Sequence, residues 1–187
     1  MATESKKYKF TGESKMYFGR TLRQIRAIKD FSNVKAGEIG GWIEKESNLS
    51  QTGNAWVYGD AWVYDDARVY DDARVYGNAW VYGNAWVCGD ARVCGNAWVC
   101  GNAWVYGNAD ISNTNQYRVF GPAGSRNDFT TFFVGHDEII YAKCGCFFGT
   151  VDDFCEKVIE THKDNAYAKE YIAYAEIAKK HIRPERE

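Results

Sequence analysis

The chain has 187 residues, 45% hydrophobic and 26% charged, with 23 Lys and Arg against 25 Asp and Glu. This is the composition of an ordinary soluble protein with enough length to bury a core. It contains no apolar run near the ~18 residues of a membrane span, and MATESKKYKF lacks the apolar segment of a secretory signal. The expectation is therefore a cytoplasmic protein with no membrane contact, whose six cysteines are reduced thiols.

Charge is unevenly spread: +6 over residues 1–36, −6 over 37–114 and −2 over 115–187. The basic N-terminal charges are interleaved with apolar residues, which reads as a solvated strand face, and nucleic acid is not an expected partner. Within this segment KYKFTGESKMYFGRTLRQIRAIKDF reads as one or two strands, assigning residues 1–42 to an N-terminal β cap.

Residues 43–114 repeat every six residues. Asn or Asp stands at 48, 54, 60, 66, 72, 78, 84, 90, 96, 102 and 108, preceded mostly by Gly. Ala fills the next slot from Ala55 to Ala109, and Val recurs from Val57 to Val105. The letters flanking Val vary: Trp or Arg before it, Tyr or Cys after it. Each A-x-V-x is a short strand with Ala and Val on one face, and the Gly-Asn or Gly-Asp pair supplies a turn. An antiparallel meander would mix Ala and Val with Trp and Tyr on each face. A chain that turns the same way at every corner points all Ala and Val inward, so the pattern favours a β-solenoid.

This hexad resembles the hexapeptide repeat of left-handed parallel β-helices. The resemblance covers roughly residues 43 to 114, with IEKESN and LSQTGN as degenerate leading hexads. It implies three hexads per triangular coil, residue i stacked on i+18, and about four coils rising roughly 4.8 Å each. Under that register Cys88, Cys94 and Cys100 fall on three different sides, as small substitutes for Tyr rather than a cluster.

After Thr114 the repeat dissolves. NDFTTFFVGHDEIIYAKCGCFFG reads as a hairpin around GHDE, and Thr150 with Asp153 makes a helix start. Helices are expected at about 151–162 and 165–182, so residues 115–187 form a small C-terminal α+β domain, a hairpin plus two helices. The fold class is thus mainly β: a left-handed parallel β-helix with an N-terminal β cap and a C-terminal α+β domain.

The hexapeptide family resemblance implies acyltransferases first, enzymes with a His base beside an acyl-CoA groove. Between residues 37 and 114 there is no His, so the base is missing from where the chemistry would need it. His136 reads as a solvated turn residue, and His162 and His181 as helix-end residues. Cys144 and Cys146 offer at most half a metal site, and no cofactor or metal is expected.

Sorting the variable letters by eighteen gives three unlike sides. Side one carries Trp56, Arg74 and Arg92; side two carries Trp62, Trp80 and Trp98 with Tyr64, Tyr82 and Cys100; side three carries Arg68, Trp86 and Trp104. The uncharged aromatic side two needs a cover, either another copy, with a trimer favoured as in hexapeptide helices, or the chain's own C-terminal domain. Stacked aromatics could instead hold a nucleotide or glycan, with Arg68, Arg74 and Arg92 meeting phosphates. The overall plan, GGWIE leading into GNAWVY-type repeats, resembles uncharacterised bacterial and phage proteins. The functional expectation is a non-enzymatic binding or interaction protein that takes a host protein or small ligand on its aromatic faces, as a phage product sequestering a defence factor or nucleotide signal would. The alternatives are an acyl-CoA-dependent acyltransferase and a purely structural oligomeric scaffold.

Overall fold

The computed structural model describes residues 6–184. Strands β1 (Tyr8–Tyr17) and β2 (Arg20–Ala27) form an antiparallel hairpin, and β3 (Ile39–Ile43) pairs antiparallel with β2. Ten two-residue strands follow, β4 to β13: Trp56–Val57, Trp62–Val63, Arg68–Val69, Arg74–Val75, Trp80–Val81, Trp86–Val87, Arg92–Val93, Trp98–Val99, Trp104–Val105 and Asp110–Ile111. Each pairs in parallel with the strand eighteen residues away, as Trp62 with Trp80 and Trp80 with Trp98. The three sides are the sheets β13-β10-β7-β4, β11-β8-β5-β3-β2-β1 and β12-β9-β6. The chain contains a hexapeptide-repeat parallel β-solenoid of about four turns.

The constant letters build the interior. Ala55 to Ala109 and Val57 to Val105 are all buried in one core cluster. Each buried Val contributes on the order of 1.5–3 kcal/mol, and the small Ala keeps the narrow prism from being overfilled. Corners turn through left-handed residues. At Gly77 (φ +71°) a Cβ would lie 3.0 Å from the Gly95 amide nitrogen of the next coil, so conformation and close approach both favour glycine. Asp65 and Asp71 take the same conformation (φ 56° and 59°). Their carboxylates accept from the amides of Gly83 at 3.3 Å and Gly89 at 3.2 Å, one coil on, which offsets the strain.

The first coil departs from strict stacking. Trp42 pairs with Trp62, twenty residues on, rather than eighteen. The twenty-residue offset is kept from Ile43 to Leu49, which pair with Val63 and Val69, and eighteen is reached at Val57, which pairs with Val75, so the two extra residues lie in the loop between Leu49 and Val57. The short turn at Glu46–Asn48 is fastened by the buried Asn48 amide, which donates to the Asp65 and Ala67 carbonyls at 3.0 and 2.8 Å. The N-terminal hairpin closes this end. Tyr8 and Ile25 join the solenoid core, and the Lys7 ammonium donates to the Thr52, Gly53 and Ala55 carbonyls.

The other end is closed by a four-stranded antiparallel sheet, β14 (Tyr117–Ala123), β15 (Asp128–Val134), β16 (Ile140–Cys144) and β17 (Phe147–Thr150). The hairpin expected around GHDE is its central pair. Alternation along β15 sorts the two faces: Phe133 enters the solenoid core, while Phe132 and Val134 face helices α1 (Val151–His162) and α2 (Ala166–His181). Thr150 caps α1 in a reciprocal box with Asp153. No helix among the described residues is long and apolar enough to cross a membrane.

Candidate active site

Side one of the solenoid is where the two ends of the sequence pattern meet. Its outward slots run Trp56, Arg74, Arg92 and then Asp110, each the register partner of the one before. Asp110 stands where the repeat elsewhere puts Trp or Arg, on the last coil, and is only 4% exposed. The β15–β16 turn lies over it. Gly135 bridges Ala109, the His136 amide donates to the Asn108 carbonyl at 3.0 Å, and the Gly135 amide closes the turn on the Ile139 carbonyl at 2.8 Å.

This docking carries the His136 ring to the solenoid surface. Its Nδ1 lies 3.0 Å from Asp110 Oδ2, with the imidazole side chain 30% exposed. An ionised carboxylate only accepts hydrogen bonds, so it holds the proton on Nδ1 and leaves the Nε2 lone pair as the basic atom. Among the described residues no side chain or backbone group hydrogen-bonds Nε2. The turn itself is rigid. Asp137 accepts from the Tyr141 hydroxyl at 2.7 Å, which holds its carboxyl below the ordinary range. A Cβ on Gly135 would sit 2.7 Å from Asp137 Oδ1 and from the Tyr141 ring.

Beyond Asp110, toward the first coil, side one opens into a groove of about 400 Å³ lined by Asn33, Tyr58, Arg74, Tyr76 and Arg92. With coils ~4.8 Å apart, Arg92 and Arg74 stand roughly 5 and 10 Å from Asp110 along the prism. Tyr76 is pushed up to about 12 by burial, then by hydrogen bonding to Cys94. It therefore stays a neutral phenol, able to donate a hydrogen bond and unable to compete with His136 as a base near neutral pH. The arrangement combines an oriented imidazole, two guanidiniums and an open slot.

The residues singled out from the outward letters divide accordingly. Arg74 and Arg92 share side one with His136 and Asp110. Trp62, Trp80 and Trp98 stack on side two at 4.9 and 5.2 Å, and Tyr64 stacks on Tyr82 at 5.1 Å. Their cover is the N-terminal hairpin rather than the C-terminal domain: the Tyr17 ring packs edge-on against Trp62 and Trp80 at 5.0 and 5.3 Å. Trp98 stays 48% exposed. On side three the Arg68 guanidinium lies over Trp86, and Trp104 is clasped by the Lys143 ammonium, 4.2 Å from its ring. Cys88, Cys94 and Cys100 lie on three sides, each eighteen residues from a Tyr, and all six cysteines are free. Cys144 ends β16 and Cys146 lies in the β16–β17 turn, and among the described residues no group of three or more His, Cys, Asp or Glu is placed to hold a metal ion.

The comparisons with known proteins bear on the same solenoid. Residues 67–83, 73–89, 85–101 and 91–107 match the repeat family described as YdcK Beta solenoid repeat. A curated relative, "Uncharacterized acetyltransferase YdcK" of Escherichia coli (strain K12), is 60% identical over 37 residues, which is 20% of this chain and 11% of that protein. The chain thus spans about a tenth of the length of the curated relative it matches.

These findings correct the sequence reading twice. A similarity to a protein named as an acetyltransferase stands against the expectation of a non-enzymatic binding protein. His136, expected in a solvated turn, is instead bonded to a buried carboxylate on the solenoid. His136 lies outside the repeat, and the docking of the β15–β16 turn on the Asn108 corner brings it to the solenoid. The available signal was Asp110, the single acid in the outward slots that otherwise hold Trp or Arg.

Proposed function

We propose that the chain is an acyltransferase whose general base is His136. The observation that carries this reading is the 3.0 Å bond between His136 Nδ1 and the buried Asp110 carboxylate on side one. The name of the curated relative points to the same chemistry. In the proposed reaction His136 Nε2 takes the proton from an acceptor hydroxyl or amine as its oxygen or nitrogen attacks the carbonyl carbon of an acyl thioester. The tetrahedral adduct then collapses, the C–S bond breaks, and the departing thiolate receives the proton from the imidazolium, which Asp110 stabilises. Arg74 and Arg92 bind the phosphates of a coenzyme A donor in the adjoining groove, where paired guanidiniums suit phosphate oxygens.

The test is release of free thiol from acetyl-CoA in the presence of a panel of amine and hydroxyl acceptors, such as amino sugars and polyamines. His136→Ala is expected to lower kcat about 10²–10⁴-fold, the usual worth of a positioned base, and to cost about 1.5–3 kcal/mol of stability because it leaves the buried Asp110 carboxylate without this partner, so kcat is read well below the melting temperature of the variant. No thiol release with any acceptor, or full activity in His136→Ala, would refute the reading.

A further inference from the structure

The helix-bearing face of the C-terminal domain holds a second cavity, of about 260 Å³, between the β14–β15 turn, the β16–β17 turn and helix α1. It is remote from His136. His136 precedes the start of β16 and the cavity lies at its end, beside Cys144. Five strand residues span roughly 16 Å.

The walls are aromatic and held in place. Phe154 meets Phe147 and Tyr171 with ring centroids 5.5 and 5.8 Å apart, and Val158 adds an aliphatic surface one turn further along α1. Tyr171 is locked beneath Gly124, where even a Cβ would lie 2.1 Å from its ring. The charge at the rim has one sign: Arg126 and Lys157 line the cavity, and no Asp or Glu does. Lys157 is paired with Glu160 at 2.7 Å. Arg126 makes no ion pair among the described residues. An apolar floor below one uncompensated guanidinium is complementary to a small amphipathic anion. Drug-sized ligands occupy about 300–1,000 Å³, so this cavity suits a single ring. The planar fork of Arg126 matches a carboxylate in two parallel hydrogen bonds.

We propose that this cavity is a binding site for an aryl carboxylate, with the ring between Phe147, Phe154 and Val158 and the carboxylate on Arg126. The site is independent of the acyl-transfer reading, and its test does not use that activity. Benzoate and its uncharged counterpart benzyl alcohol are titrated into the full chain, and binding is followed by protein-observed NMR. Benzoate is expected to bind at least about tenfold more tightly than benzyl alcohol, and Arg126→Gln to remove that advantage while leaving the alcohol unaffected. Val158→Trp, which fills the cavity, is expected to abolish binding of both. Arg126 is exposed, so its variant keeps the test decisive should Val158→Trp fail to fold. The proposal is overturned if benzoate does not bind at about 10 mM, if the alcohol binds equally well, or if either variant binds benzoate as the wild type does.

Discussion

Asp110→Asn probes the proposed base without changing the shape of the site. In the native chain the carboxylate accepts from His136 Nδ1 at 3.0 Å. An Asn amide in the same place can present its NH₂ group, which needs Nδ1 as an acceptor and so moves the ring proton to Nε2, the atom that must be basic. If the amide oxygen faces the ring instead, the tautomer survives and the negative charge that stabilises the imidazolium is lost. Either outcome removes most of what a positioned base supplies, about 10²–10⁴ in rate, or roughly 3–5 kcal/mol of transition-state stabilisation. The KM for acetyl-CoA is expected to change by less than about threefold, because Arg74 and Arg92 are untouched. Stability should move little. Losing a charge-assisted hydrogen bond costs about 1.5–3 kcal/mol, and no longer burying a charge at a position only 4% exposed offsets part of this. The net shift in melting temperature is expected to stay within about 5 °C. The assay pairs steady-state thiol release with thermal unfolding by circular dichroism. A variant with unaltered kcat and melting temperature would refute the claim that Asp110 orients the base.

Three further predictions follow from the same geometry. Gly135→Ala forces a Cβ into Asp137 and Tyr141 and so shifts the turn that carries His136; kcat/KM should fall about tenfold or more with a small loss of stability, read from the same kinetics and melts. Trp80→Ala removes the middle of a ladder that contacts Trp62, Trp98 and Tyr17 and should cost about 2–4 kcal/mol in denaturant unfolding, whereas Trp98→Ala, at the exposed end, should cost about 1 kcal/mol. Lys7 is fully buried and its pKa falls to about 8 because burial disfavours the ammonium, with Lys29 adding to the effect. The folded state therefore releases this proton before the unfolded state does. The burial cost is fully present below pH 8 and is relieved as pH rises toward the unfolded value of 10.5. Between about pH 8 and 10, wild-type stability should rise relative to Lys7→Met by roughly 2–3 kcal/mol, and parallel pH profiles of the two proteins would refute this.

Local information made much of the fold legible. Gly-Asn-Ala-x-Val-x states its own corner, core and strand within six letters, and nine hexads carrying both Ala and Val, from Ala55 to Val105, leave little choice of register. Thr150 and Asp153 mark a helix start through a bond spanning three residues. The strands β14 and β17 were less legible. YRVFGPA and FFGT are short and weakly patterned, and they become strands because the central hairpin offers them edges. The twenty-residue offset of the first coil was equally hidden, since its two extra residues lie in the loop between Leu49 and Val57, where the repeat letters are degenerate.

The candidate site divides along the same line. The sequence, through its resemblance to hexapeptide repeats, already implied that Arg74 and Arg92 share a side and that Trp62, Trp80 and Trp98 form one ladder, because three hexads to a coil turn eighteen residues of separation into one coil of height. Only the tertiary structure decided what covers the ladder and what reaches the Arg-bearing side. Tyr17 and His136 lie outside the repeat, and no period links them to it. Their places follow from how two end caps dock: a hairpin that extends side two, and a sheet whose turn bonds to the Asn108 and Ala109 corner. Repetition specifies the prism, and the non-repeating ends bring the proposed base to it.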